Sequence, residues 1–214
     1  MMKAPIGPRS PRILRLAVAA VLAAAAAACA NIEFLPGQGA PAKLYTLSPK
    51  STFADSLPTV PWQLVVEVPV AAESLNTSRI ALRRDPLTLD FFGGVRWSER
   101  APNLVQTLLV ESFENSGKIV AVARKATDLR ADYVLKTELR EFQAEYSEAG
   151  PPTVRVRINA KLVKMPQRTI IASHTAEATW RADGTAMLDV VYAFDTTLGK
   201  ALKSIVEWAL RAPG

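Results

Sequence analysis

The chain has 214 residues, with 26 Lys+Arg against 20 Asp+Glu, a formal net charge of +6, one histidine and one cysteine. That length allows one domain or two small ones, and 49% hydrophobic residues exclude a disordered chain. A single cysteine excludes an internal disulfide framework and a cysteine-based zinc site, and a single histidine excludes multi-histidine metal centres.

Residues 1–28 read as an export signal. Lys3, Arg9, Arg12 and Arg15 give a basic start with no acid, and Pro5, Pro8 and Pro11 make a poor opening for a folded domain. The apolar run from Leu16 to Ala28 is too short for a bilayer, which needs roughly 20 residues. It ends at Ala26-Ala27-Ala28-Cys29, a junction that resembles a bacterial lipobox, with Ala26 where leucine is usual. On that reading Cys29 is the lipid-attachment residue, acylated as the first residue of the mature protein. Each buried methylene of its acyl chains gives ~0.8 kcal/mol, so two or more chains, palmitate among them, hold it to the membrane. The plainer alternative is a structural cysteine behind an ordinary signal. Ala30 follows rather than aspartate, which under enteric-type sorting points to the periplasmic face of the outer membrane, the inner membrane being the alternative. Four of the six excess positive charges leave with the signal and no acid leaves with them, so the mature charge is +2. A nucleic-acid partner thereby loses its main support.

Residues 29–42 carry Pro36, Pro41, Gly37 and Gly39 without any period and read as a lipidated tether. Its 13 residues after the cysteine reach at most about 45 Å extended and about 20 Å as a coil. A domain over 43–211 follows. Leu44–Leu47 and Trp62–Val68 are strand candidates, the second bounded by Pro61 and Pro69. Ile80–Arg84 and Leu87–Phe91 flank the turn signal Asp85-Pro86, and Gly93-Gly94 breaks the pattern. The spacing of Leu104, Val105, Leu108, Leu109 and Phe113 predicts a helix, with Ser98 as N-cap, Pro102 in the first turn and Gly117 past the C-terminus. Ile119–Val122 is extended. Asp132–Tyr146 is a long strand whose apolar parity shifts, which predicts a bulge near Arg140-Glu141. Thr153–Val163 alternates cleanly, and Met165-Pro166-Gln167 turns the chain into a third long strand, Arg168–Trp180. The last element is a helix from about Ala186 to Leu210, with a stripe at Met187, Val191, Phe194, Leu198, Ala201, Ile205 and Trp208. The class is α+β, a mostly antiparallel sheet with two helices packed on one face.

Chemistry is sparse. His174 lies in a strand whose neighbours Ser173 and Thr175 point the other way, so a strand histidine with one hydrogen-bond partner fits better than a general base. No phosphate loop, dinucleotide fingerprint or nucleophile elbow is present. Carboxylate pairs such as Glu138/Glu141 and Glu145/Glu148 lie on polar faces, and nothing selects one of them. No catalytic residue, cofactor or metal is expected. Arg79, Arg83, Arg84, Arg96 and Arg100 cluster among Phe91, Phe92 and Trp97. Of these, Arg83, Arg84, Arg96 and Trp97 are the candidate interface for a partner or for lipid headgroups. Local ion pairs with Asp85, Asp90 and Glu99 are the alternative.

The order of these segments resembles the ABC-type transport auxiliary lipoprotein family, which includes the paraquat-inducible protein C (PqiC)-like lipoproteins and cholesterol-transport auxiliary components. The matching features are Cys29, Leu44-Tyr45-Thr46-Leu47, Ile80-Ala81-Leu82-Arg83-Arg84, and Arg96-Trp97-Ser98-Glu99 opening the first helix. They continue with Ala131-Asp132-Tyr133-Val134-Leu135, Glu138-Leu139-Arg140-Glu141-Phe142, and Ala193-Phe194-Asp195 with Trp208 in the last helix. The resemblance implies a non-catalytic periplasmic accessory of the cell envelope. Its partners would be an MCE-domain protein and an ABC permease and ATPase that move lipid between inner and outer membranes, with a homo-oligomeric ring as a further implication. An envelope structural or assembly lipoprotein with another partner is the second reading, and a periplasmic hydrolase the third.

Overall fold

The computed structural model describes residues 41–125, 130–147 and 150–212. The export signal, Cys29, the tether up to residue 40 and Glu148 lie outside the described residues. Among the described residues the strands are β1 (Lys43–Tyr45), β2 (Val60–Val66), β3 (Val70–Ala71), β4 (Arg79–Arg83) and β5 (Asp90–Trp97) before helix α1 (Ala101–Ser116). Then come β6 (Ile119–Ala123), β7 (Tyr133–Glu145), β8 (Thr153–Lys164), β9 (Thr169–Arg181) and helix α2 (Met187–Arg211).

All nine strands join one sheet with β7 as its spine. One edge of β7 pairs antiparallel with β8 along its length, and β8 pairs antiparallel with β9. The other edge is divided among three short parallel strands: β2 at Tyr133–Leu135, β3 at Glu138–Leu139 and β4 at Gln143–Glu145. β6 lies parallel beyond β2, β5 antiparallel beyond β4, and β1 parallel beyond β5. The class is α+β as expected, and the sheet is mixed: its long ladders are antiparallel and most of its short strands pair parallel.

Alternation explains the two faces. Val154, Val156, Ile158, Ala160 and Leu162 are buried toward the helices, while Arg155, Arg157, Asn159 and Lys161 face away. On β7 the ladder slips between Leu139 and Glu141, so Arg140 is the extra residue. The slip turns Phe142 and Ala144 onto the same buried face as Tyr133, Leu135 and Leu139. Helix α2 buries Val191, Phe194, Leu198, Ala201 and Ile205, with Met187 and Trp208 half-buried at its ends, as its period predicts. Behind the helices, residues 47–57 cross both of them. The Ser48, Lys50 and Ala54 amides donate to Asp195 Oδ1 (2.6 Å), Ser112 Oγ (2.9 Å) and Glu207 Oε1 (2.9 Å), and Leu47 and Leu57 are buried.

Three local expectations change. Leu87–Leu89 is turn, not strand, because the Asp85 carboxylate takes the Leu87 and Thr88 amides (2.9 and 3.0 Å) and the Thr88 hydroxyl; Leu87 is 96% exposed. Those bonds hold the Asp85 carboxyl below its ordinary range, the Thr88 hydroxyl contributing most. The strand instead begins at Asp90 and runs through Gly93-Gly94 to Trp97, since Val95–Trp97 gains a second partner in β1. Gly94, at φ 69°, lies where the β4 ladder is interrupted. Ser98 does not cap α1, and Arg96-Trp97 close β5 rather than open the helix. The cap position is Arg100 without a side-chain bond, and the first helical amide, Ala101, is satisfied by the Thr77 carbonyl at 3.0 Å. Gly117 takes the left-handed C-terminal conformation expected of it (φ 60°).

Candidate functional site

The hairpin of β4 and β5 divides the arginine cluster. At its turn end Arg83 closes β4 opposite Glu145, and the Arg84 guanidinium lies over the Tyr146 ring, 5.3 Å from its centroid. These residues line a cleft of about 410 Å³ with Asp85, Pro86 and Ser147. Burial pushes the Tyr146 phenol above its ordinary value, with the Arg84 charge opposing the rise. Phe92 backs the cleft, its ring 6.4 Å from that of Tyr146. Two cations, an aromatic wall and two carboxylates make this a coherent polar contact surface.

Arg96 is elsewhere. Its register partner is Arg79, at the opposite end of β4, and four residue steps of strand separate Arg79 from Arg83, roughly 13 Å. Arg79 relieves the facing like charges by lying over the Phe91 ring, 3.8 Å from its centroid. Trp97 departs from expectation altogether. It is 1% exposed and belongs to the core. Its ring meets Phe194 of α2 at 5.1 Å and Phe142 of β7 at 5.6 Å, and those two rings meet at 5.1 Å. Alternation along β5 sends Arg96 out and its neighbour in, so Trp97 is no part of an exposed interface.

Among the described residues the His174 ring has one hydrogen-bond partner, which sequence patterning could not supply: Ser204 of α2, with Nε2 and Oγ 2.8 Å apart. The ring also stacks on Trp208, 5.4 Å between centroids and 22° between planes. Burial holds the imidazole below its ordinary value of 6.5. A histidine beside a serine has the outline of a nucleophile and base. Here Ser204 lies within a 25-residue helix. The backbone amides around it are committed to the helical ladder and cannot stabilise an oxyanion. The pair ties β9 to α2. Among the described residues no group of three or more His, Cys, Asp or Glu side chains gathers that could hold a metal ion.

What these surfaces define is a nine-stranded α+β domain with an arginine-bearing cleft at one hairpin turn and a helix pair strapped to one sheet face. A family model for the ABC-type transport auxiliary lipoprotein component matches residues 45–206, and the chain belongs to that family. A curated relative, the uncharacterised protein bll6063 of Bradyrhizobium diazoefficiens, is 28% identical over 188 residues. That match takes in 86% of this chain and 49% of the relative, so the chain spans about half the relative's length. Among solved structures, protein XCC0632 of Xanthomonas campestris is 32% identical with a TM-score of 0.75, over 79% of this chain and 95% of that one. A second crystal structure, of an uncharacterised protein, has a TM-score of 0.60 at 12% identity over 78% of this chain and 97% of its own, a likeness of fold alone. The family is an auxiliary lipoprotein component of ABC-type transport.

Proposed function

We propose that the chain is a membrane-anchored periplasmic lipoprotein acting as a non-catalytic accessory subunit of an MCE/ABC-type lipid transport system between the inner and outer membranes. The observation that carries the reading is the family match over residues 45–206, and the junction at Cys29 agrees with it. Acyl chains on Cys29 hold the domain to the outer membrane through the tether, and the partner ATPase supplies the energy. The cleft at Arg83 and Arg84 is the contact for an acidic partner surface or for lipid headgroups, with Arg96 as a second, separate point.

Two experiments test this. Affinity purification after crosslinking in membranes recovers an MCE-domain protein with its permease and ATPase, and the Arg83→Glu/Arg84→Glu variant recovers at least several-fold less. Recovery of cell-wall assembly proteins alone would transfer the domain to the second reading, an envelope assembly lipoprotein. The anchor is tested separately: Cys29→Ala abolishes incorporation of radiolabelled palmitate and moves the protein out of the mature membrane-bound form. Continued labelling of that variant would refute acylation at Cys29.

A further inference from the structure

The sheet face turned away from the helices is not uniform. At one end its charges are internally closed: Arg155 is bonded to both Glu145 (3.3 Å) and Glu177 (2.7 Å), and Arg157 lies 3.7 Å from Glu177. At the other end an apolar floor opens into a cavity of about 470 Å³. Val65 of β2, Val134 of β7 and Val163 of β8 form that floor, a small buried cluster separate from the main core. Ile170, 54% exposed, and Met165 wall one side. Four cations stand on the rim: Arg124, Lys125, Lys136 and Arg168, against one acid, Glu67. Glu67 is taken by Lys136 at 3.0 Å, and Arg124 is 3.9 Å from Glu111. Lys125 and Arg168 have no ion-pair partner among the described residues.

Surplus positive charge over a recessed apolar floor is complementary to a negative group joined to an apolar body. The volume is within the range of small-molecule sites, roughly 300–1,000 Å³. Each of the floor strands β2, β7 and β8 is hydrogen-bonded on both edges, so the floor offers side chains and no free backbone ladder. That argues against an added peptide strand, which is held by main-chain bonds. A recessed floor is likewise a poor match for a flat membrane surface. The position of Arg168 is a further sign of function over local stability. It occupies the left-handed region (φ 58°) at the turn between β8 and β9, where glycine is the least strained residue.

We infer that this cavity binds a single anionic amphiphile, with its head against Lys125 and Arg168 and its apolar body on Val65, Val134 and Val163. This goes beyond an accessory role, since an accessory subunit needs no ligand of its own. The test uses the full chain in nanodiscs of phosphatidylcholine and a dodecyl phosphate bearing a photoreactive diazirine on its chain, with labelled peptides read by mass spectrometry. Labelling is expected on the peptides containing Val65, Val134 and Val163–Ile170. Excess dodecyl phosphate suppresses it at least tenfold, while inorganic phosphate and dodecanol do not. Arg168→Gly, which relaxes the backbone and so keeps the fold, and Lys125→Gln each reduce labelling at least tenfold. Equal competition by inorganic phosphate would show a plain anion site, and equal competition by dodecanol a plain apolar patch; either overturns the inference. So does labelling spread over the surface or unchanged in Arg168→Gly. Co-purification with transporter subunits is read separately, so loss of one result leaves the other standing.

Discussion

Trp97 and Arg96 are adjacent in sequence and answer to opposite constraints. The Trp97 ring fills the junction of β5, β7 and α2, while Arg96 is exposed. Truncating a buried aromatic to alanine removes its transfer energy and leaves a cavity, so Trp97→Ala is expected to lower unfolding free energy by about 3–5 kcal/mol in urea titrations. Trp97→Phe should be far milder. The indole Nε1 has no hydrogen-bond partner among the described residues, so its loss leaves nothing unsatisfied. Arg96→Ala should stay within about 0.5 kcal/mol. Comparable losses for Arg96 and Trp97 would contradict this division. A sequence shows aromatic and basic residues interleaved, and only the strand's two faces separate them. His174 makes a second residue-scale case. Its folded pKa is lowered by burial, so the unfolded chain binds more protons in this range. It therefore leaves stability untouched well above pH 6.5 and withdraws it as pH falls through 6.5 toward the lowered value. The urea midpoint of the wild type should fall more between pH 7.5 and 5.0 than that of His174→Gln. Parallel falls in both proteins would exclude the histidine as the cause.

At the scale of elements, local pattern is legible in the sequence. The heptad-like stripe of α2, the alternation of β8 and the parity shift in β7 are properties of residues two to four apart, and each element buries the residues its period selects. What could not be read is pairing between distant segments. β3 is two residues long and has meaning only against Glu138 and Leu139. The continuation of β5 through two glycines depends on β1, some 50 residues earlier in the chain. The capping of α1 by a carbonyl of Thr77 is invisible for the same reason. The bulge carries a sharp prediction. Deleting Arg140 alone leaves Leu139, Glu141 and Phe142 in plain alternation against Ile158, Arg157 and Val156, so Phe142 and Ala144 keep the buried face and the contacts of Phe142 with Trp97 and Phe194. Deleting Arg140 and Glu141 together sends Phe142 and Ala144 to the face away from the helices. The double deletion should abolish the near-ultraviolet circular dichroism of a packed aromatic core, whereas the single deletion should preserve it. A native spectrum from the double deletion would mean that parity along β7 does not place these residues.

Across the whole domain, the parts that differ most in their attachment are the sheet and the strap. The long ladders of β7, β8 and β9 are bonded along 12 or 13 residues each, so opening them requires global unfolding. Residues 47–57 are bonded to the helices by side-chain acceptors at Asp195, Ser112 and Glu207 and by Asn115 Nδ2 donating to the Lys50 carbonyl at 3.2 Å. Each such bond contributes about 0.5–1.5 kcal/mol net, or somewhat more where the acceptor is charged. The strap is thus the segment most easily released without the core. It also follows directly on β1, so a domain anchored at Cys29 would receive any pull from the membrane first at the short β1–β5 ladder and then through the strap, before the long ladders. Asp195→Ala/Glu207→Ala removes two of the acceptors. Amide exchange of Ser48 and Ala54 should then accelerate by roughly tenfold to a hundredfold, the equivalent of about 1.4–2.8 kcal/mol. Amides in β7 and β8 should keep their protection to within about threefold. If β7 and β8 accelerate in step with Ser48 and Ala54, the strap and the core open as one unit, and a pull that passes β1 would reach the long ladders undamped.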